Sequence, residues 1–390
     1  MDYIPHTPNE TQDMLQFLGL SEVDELFNMI PESLKNPDIA FPAALTEMQI
    51  TQHMESVSRD NSGTQMASFL GGGAYDHFVP KALEALISRG DFATAYTPYQ
   101  AEASQGTLQA IYEFQSLMCR LTGLEVANAS MYDGASALAE AALMACRVTR
   151  KEKVVISSTI NPRYRDVAKT YLEGPGIELV EIPAKDGVTD VEWIQANIDD
   201  SVAAVFVQHP NYYGILEPMD AIGAAIKEKG SIFGAVVYPH SLGCLKPPAS
   251  YGADIAVGDL QSLGLALNYG GPYAGFIASI QKFVRQLPGR LVGRTKDEDG
   301  KPAYVLTLQT REQHIRRSKA TSNICTNQGL CALAATMYLA LMGPKGLRQA
   351  AELSVANAHE LQEQLCHIDG VQPVFDRPFF NEFLLELSCS

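Results

Sequence analysis

The sequence has 390 residues, 46% of them apolar, and a formal net charge of −16. A chain this long and this apolar can bury a large core and exceeds one minimal domain. Its acidity repels phosphate backbones and anionic lipid, which argues against nucleic-acid and membrane-surface roles and leaves small metabolites and proteins as partners.

The opening stretch MDYIPHTPNETQDML lacks the basic flank and apolar core of a secretory signal, so a cytoplasmic location is expected. Residues 1–63 read as a helical arm. Asn9 or Thr11 is the expected cap of a first helix, Ser21 opens a second over SEVDELFNMI, and Thr46 enters TEMQITQHMESVSRD. Short helices separated by Pro31 and Pro42 bury little by themselves, so the arm is expected to pack on something.

From residue 64 to 330 the pattern becomes that of a large α/β domain. Helical periodicity runs through ALEALISR and from Thr107 to Thr122. The runs KVVISS, IELVEIP, AAVFVQHP, FGAVVYP and ADIAVGD are rich in β-branched residues and alternate with helical segments such as YRDVAKTYLE and MDAIGAAIKEKG. Buried parallel strands between helices predict a three-layer α/β architecture. Residues 331–390 supply a long helix and the start of a small C-terminal domain. The apolar run from Leu330 to Gly343 is shorter than the roughly 20 residues that cross a bilayer and reads as a buried helix. The final EFLLELS has no following strand to pair with, so that small domain is expected to be incomplete. The seven cysteines, Cys119, Cys146, Cys244, Cys325, Cys331, Cys366 and Cys389, form no CxxC pair, which argues for reduced thiols and against a disulfide framework or a metal site.

An α/β domain binds its ligand at the carboxyl ends of its strands. ASMYDGASALAEAALMA offers such a point: the N–H groups at Ala135 and Ser136 suit a phosphate, or Asp133 simply caps a helix. His209 and His240 also follow strands, where histidines are more often hydrogen-bonded loop residues than bases.

Five strings resemble one family: SFLGGGAYDHFVP, TAYTPYQAEASQGTLQAIYEFQ, LTGLEVANASMYDGASALAEA, GADIAVGD followed by QSLG, and LTLQTREQHIRRSKATSNICTNQ. They are similar to the P-protein of the glycine cleavage system, and within it to the N-terminal-half subunit of the two-subunit bacterial form. The likeness runs from YIPHT at residue 3 to FFNEF at residue 379. It implies a pyridoxal-phosphate fold of the aspartate-aminotransferase type and a complex of two such chains with two of a homologous second subunit. In that family the second subunit holds pyridoxal phosphate on its own lysine. Glycine is decarboxylated there, and the aminomethyl group passes to the lipoyl arm of H-protein. A self-sufficient enzyme of this topology places an aspartate and a lysine at successive strand ends; here those positions are Tyr238 and Ser262, and Lys246 and Lys282 bracket a stretch without any amine. Ser136, Tyr238 and Ser262 are thus degenerate cofactor positions. The family's GDGQSLG or GEGQSLG has Leu260 for its middle glycine, which is expected to reshape the pocket.

Sites of this fold lie at subunit interfaces, and no catalytic residue is expected in this chain alone. Tyr96, Thr97, Pro98, Tyr99, Gln100 and Glu102 are the first candidates to line the partner's glycine and lipoyl pocket, or else form a packed interface loop. The second candidates lie where Arg311, Arg316, Arg317 and Lys319 cluster. Arg316 and Arg317 suit a partner's phosphate, an acidic H-protein surface or a salt-bridged interface, with Thr321, Ser322 and Asn323 fixing the loop.

Overall fold

The computed structural model describes residues 5–35, 37–69 and 71–388 and divides into two compact units, Met1–Ser68 and Phe69–Ser390. In the first, helix α1 (Pro8–Leu18) is capped by Thr7, whose hydroxyl accepts from the Glu10 N–H while the Glu10 carboxylate accepts from the Thr7 N–H. The expected caps Asn9 and Thr11 lie inside the helix. Pro8, with its fixed φ and no N–H to leave unpaired, sets the boundary earlier. SEVDELFNMI forms only a 3₁₀ turn, Val23–Phe27, with the Ser21 N–H and hydroxyl both donating to Glu25. Helix α2 (Glu47–Arg59) starts from Thr46, which forms a capping box with Gln49. Leu15 is the one buried hydrophobic residue of this unit among those described, and Phe17 is 90% exposed.

The second unit opens with α3 (Lys81–Ile87), α4 (Gln105–Thr122) and β1 (Val126–Ala127), then α5 (Gly134–Thr149), β2 (Lys153–Ser157), α6 (Pro162–Glu173) and β3 (Glu178–Ile182). A small hairpin, β4 (Ala184–Lys185) and β5 (Val188–Thr189), leads to α7 (Val191–Asn197), β6 (Val202–His209), α8 (Met219–Glu228), β7 (Ile232–Val237), β8 (Ile255–Asp259) and β9 (Gly275–Ser279). A second hairpin, β10 (Leu291–Lys296) and β11 (Pro302–Thr307), precedes α9 (Gln313–Arg316), α10 (Gly329–Cys366), β12 (Val371–Pro373) and β13 (Leu385–Leu387). Seven strands form one sheet in the order β1-β9-β8-β7-β6-β2-β3. Neighbours from β3 to β8 pair in parallel, and β9 runs antiparallel to both β8 and β1.

Alternation along these strands splits the interior into two cores. Val155, Val205, Val207 and Val237 join Phe114 and Met118 of α4, Ile222 of α8 and Tyr338 of α10. Val154, Ile156, Phe206 and Val257 face the alanine-rich side of α5 together with Ala168 and Leu172 of α6. Both sheet faces are therefore covered, as the near-continuous apolar strands require. Phe206 is fully buried, and a β-carbon on Gly234 of the neighbouring strand would overlap its ring.

Helix α10 is long and apolar enough to cross a membrane, but Ala335, Tyr338 and Leu339 of its apolar half lie in the first core. The helix kinks where Gly343 adopts φ 61° ahead of Pro344. The strand in EFLLELS, expected to lack a partner, pairs antiparallel with β12, because the hairpin folds back on itself. Between those strands, the Leu216 and Phe380 N–H groups bond to Pro378 and Gly214, which fastens residues 378–382 beside the loop after β6.

Gly234→Ala is expected to overpack the sheet and cost about 1–3 kcal/mol. The added Phe206→Leu change should recover part of that loss, and urea denaturation midpoints of the single and double variants would check both.

Candidate functional site

The carboxyl ends of β7 and β8 deliver Tyr238 and the Asp259–Ser262 segment, and the turn after β1 delivers the start of α5. The crevice they outline is nearly filled. A cavity of about 30 Å³ remains among Tyr75, Asn161, Tyr164, Gln208, Tyr238 and Asp259, room for about one or two waters. The Tyr75 ring stands 5.0 Å from that of Tyr238, and Phe380 closes on Tyr238 at 5.8 Å.

The Tyr75 hydroxyl donates to Glu382, whose other oxygen accepts from the Gly72 N–H at 2.8 Å. The Gln261 amide pairs with both the N–H and the carbonyl of Tyr75, at 2.9 and 2.8 Å. Gly71, Gly72 and Gly73, at φ 56°, 90° and 107°, supply the left-handed path this closure needs, and a β-carbon on Gly71 would meet Glu382 at 2.5 Å. Burial raises the pKa of Tyr75, with Glu382 adding to it, and burial likewise raises that of Tyr238; both phenols stay protonated.

The helix start is also occupied. Asp133 accepts from the Ser136 N–H at 2.7 Å, and the Ser136 hydroxyl donates back to the Asp133 carbonyl at 3.1 Å. The Gly134 N–H donates to Asp259 at 3.0 Å, and the other Asp259 oxygen accepts from the Gln261 N–H at 2.8 Å. The Tyr164 hydroxyl lies where a β-carbon on Gly134 would sit. Burial pushes the Asp259 carboxyl up to about 7 against the pull of those two N–H donors. Ser262, expected at the degenerate lysine position, is buried. Leu260 is not among the residues lining the cavity: it lies in the first core, with its N–H on the Ala274 carbonyl. His209 accepts from the Glu217 N–H, and burial lowers its pKa to about 4, so it is a neutral structural imidazole. His240 is buried against the Tyr238 ring.

A second feature is open. A pocket of about 530 Å³ lies between Tyr96 and Pro98 of the loop before α4, Ile111 and Phe114 on α4, and Thr326 to Leu330 at the start of α10. That volume is in the range of small-molecule sites. Tyr96 is 88% exposed. Asn327 is held in place by donating to the Ser130 hydroxyl at 2.7 Å.

The run TAYTPYQAE therefore divides. Tyr96 and Pro98 face this pocket, whereas Thr97, Tyr99, Gln100 and Glu102 are not among its lining residues. The Tyr99 hydroxyl accepts from Arg290 at 2.9 Å, and the same guanidinium lies 5.2 Å from its ring centre. Arg290 is itself buried 3.6 Å from the buried Glu312. The basic cluster divides as well. Arg311 is buried, donating to the carbonyls of Leu287, Gly289 and Leu308, while Arg316, Arg317 and Lys319 are exposed. Ser322 donates to the buried Glu140 at 2.8 Å, the Thr321 N–H reaches the Arg311 carbonyl, and Asn323 is exposed. None of these basic or loop residues lines the pocket. Sequence reasoning missed Asp259, Arg290, Glu312 and Glu382, whose partners are distant in the chain. It also missed Thr326, Asn327 and Gln328, although a polar run just before an apolar helix is a helix-entry signal.

The family model of the glycine cleavage system P-protein matches residues 1–389. A probable glycine dehydrogenase (decarboxylating) subunit 1 of Moorella thermoacetica is 53% identical, covering 100% of this chain and 88% of the relative. The corresponding protein of Desulforamulus reducens is 52% identical, over 99% and 87%. A crystal structure of glycine decarboxylase (P-protein) of the glycine cleavage system, in inhibitor-bound form, superposes with a TM-score of 0.93 at 48% identity, over 100% of this chain and 88% of that one. Glutamate decarboxylase of Lactobacillus brevis, at 14% identity and a TM-score of 0.67 over 91% and 81%, shares the fold. The architecture is that of pyridoxal-phosphate enzymes of fold type I. The cofactor that this fold implies does not fit the crevice of this chain. No lysine lines it among the described residues, the Tyr238 phenol stands among its lining residues, and Asp259 holds a helix-start N–H that a phosphate would need.

Arg290→Met is expected to remove the buried partner of Glu312, leaving the part-exposed His314 at 3.6 Å, and to cost about 3–5 kcal/mol. Tyr99→Phe, which removes one hydrogen bond to a charged group, should cost about 1.5–3 kcal/mol. Chemical denaturation of both variants against the parent checks this ordering.

Proposed function

Because the chain belongs to the glycine cleavage system P-protein family, we propose that it is the lysine-lacking subunit of a glycine decarboxylase made of two such chains and two homologous second subunits. Pyridoxal phosphate is carried by the second subunit and supplies there the electron sink for decarboxylation. The aminomethyl group left from glycine passes to the lipoyl arm of H-protein.

The observation that carries this reading is the contrast between the two concavities. The crevice at the strand ends is packed with this chain's own side chains, whereas the 530 Å³ pocket beside Tyr96 and Pro98 is open. A chain built this way contributes by completing a neighbour's site. Tyr96 offers a ring and a hydroxyl at the pocket mouth, Thr326, Asn327 and Gln328 offer polar groups opposite, and Ile111 and Phe114 make an apolar floor that excludes water. Tyr99 orients the loop through Arg290 and does not itself reach the substrate. Arg316 and Arg317, exposed and outside the pocket, suit an acidic partner surface in the assembly.

Each chain alone should give no glycine–bicarbonate exchange, and the co-purified pair should give it. Tyr96→Ala in the pair is expected to lower exchange by about tenfold with little effect on assembly, while Tyr99→Phe should change stability more than rate. Exchange by the lone chain with pyridoxal phosphate would overturn the assignment. An unchanged rate in Tyr96→Ala would reduce the chain to a structural partner.

A further inference from the structure

Two different causes can keep a cofactor out of the crevice after β8. The first is chemical: with Ser262 at the degenerate lysine position, nothing captures an aldehyde. That alone would still leave a helix start able to bind a phosphate ester without a covalent bond, because the unpaired N–H groups and the dipole of a sixteen-residue helix favour an anion. The second cause is visible in the contacts at that helix start. The Gly134 N–H is taken by Asp259 at 3.0 Å, the Ser136 N–H by Asp133 at 2.7 Å, and Tyr164 lies against Gly134. Asp259 is fixed from the other side by the Gln261 N–H at 2.8 Å, and Gln261 in turn clamps the Tyr75 backbone that closes the crevice.

We propose that the Asp259 carboxylate is a built-in substitute for the phosphate group, held by the chain at the anion position of α5, so that the crevice is closed to phosphate esters by occupation and not only by lack of an amine. The inference concerns this chain's crevice alone and stands whether or not a second subunit carries the cofactor. It predicts a gain of binding. Removing the carboxylate vacates the anion position, restores the Gly134 N–H as a free donor and removes one of the two carboxylates at the helix start, Asp133 staying on the Ser136 N–H.

The test uses the full chain at pH 8, with inorganic phosphate as the probe and chloride at matched ionic strength as the control. Calorimetric titration and thermal midpoints are read for the parent and for Asp259→Ala, Asp259→Ser and Asp259→Asn. The parent should give the same midpoint in both buffers. Asp259→Ala and Asp259→Ser should bind one phosphate per chain, about tenfold or more tighter than the parent, with a midpoint that rises in phosphate. Asp259→Asn, which keeps an oxygen on the Gly134 N–H, should remain indifferent to phosphate. Folding of the alanine or serine variant only in phosphate would support the proposal equally. Phosphate binding by the parent at one site per chain would overturn it. So would folded alanine and serine variants that respond no more than the parent, or variants that fail to fold in either buffer, since phosphate would then be unable to take the vacated place.

Discussion

The contact on which the closed crevice depends is the carboxyl group of Glu382 on the Gly72 N–H and the Tyr75 hydroxyl. It joins the glycine turn at the start of the second unit to the segment that returns from the C-terminal hairpin. Once these ends are tied, Tyr75 and Phe380 sit over Tyr238, and the carboxyl ends of β7 and β8 have no room for a planar ligand. Burial raises the pKa of Glu382, while the phenol and amide that donate to it act the other way. Those donors compensate a carboxyl group that would otherwise be costly to bury.

In the crevice, polar groups are directed at one another. Asp259 and Asp133 occupy the start of α5, and Gln261 bridges the turn after β8 to Tyr75. Arg311 is absorbed by three backbone carbonyls, and Arg290 by Tyr99 and Glu312. A separate set of contacts holds the loop before α4. Arg290 anchors Tyr99, and Pro98 and Tyr96, one and three residues upstream, are presented to the open pocket. The closed crevice and the fixed loop before α4 thus rest on two separate sets of buried contacts, one around Glu382, Gln261 and Asp259 and one around Arg290.

Much of the fold was legible because its signals are local. KVVISS, AAVFVQHP, FGAVVYP and ADIAVGD became β2, β6, β7 and β8, since continuous β-branched runs bounded by turns can be satisfied only in the middle of a covered sheet. Thr46 capped α2 because a threonine followed by glutamine at the third helical position satisfies two orphan N–H groups by itself. The first helix was misread at its cap because Pro8 outweighs the propensities of Asn9 and Thr11. The second was overextended because Ser21 and Glu25 satisfy each other in a tighter turn. The C-terminal strand looked unpartnered because its partner, β12, is a three-residue strand too short to announce itself.

The sequence by itself determined that no lysine lies between Lys246 and Lys282, that Tyr238 follows the run that became β7, and that TAYTPYQAE is too aromatic and polar for an ordinary helix entry. These are statements about which chemical groups exist, and composition at a position is enough to make them. Only the tertiary structure decided that Tyr96 faces a pocket while Tyr99 faces Arg290, that Arg311 is buried while Arg316 is exposed, and that Asp259 occupies the start of α5. Side chains one turn apart diverge according to what packs above them. A carboxylate meets its N–H donor across 125 residues of chain only after the sheet has brought two strand ends together, so no local pattern can record it.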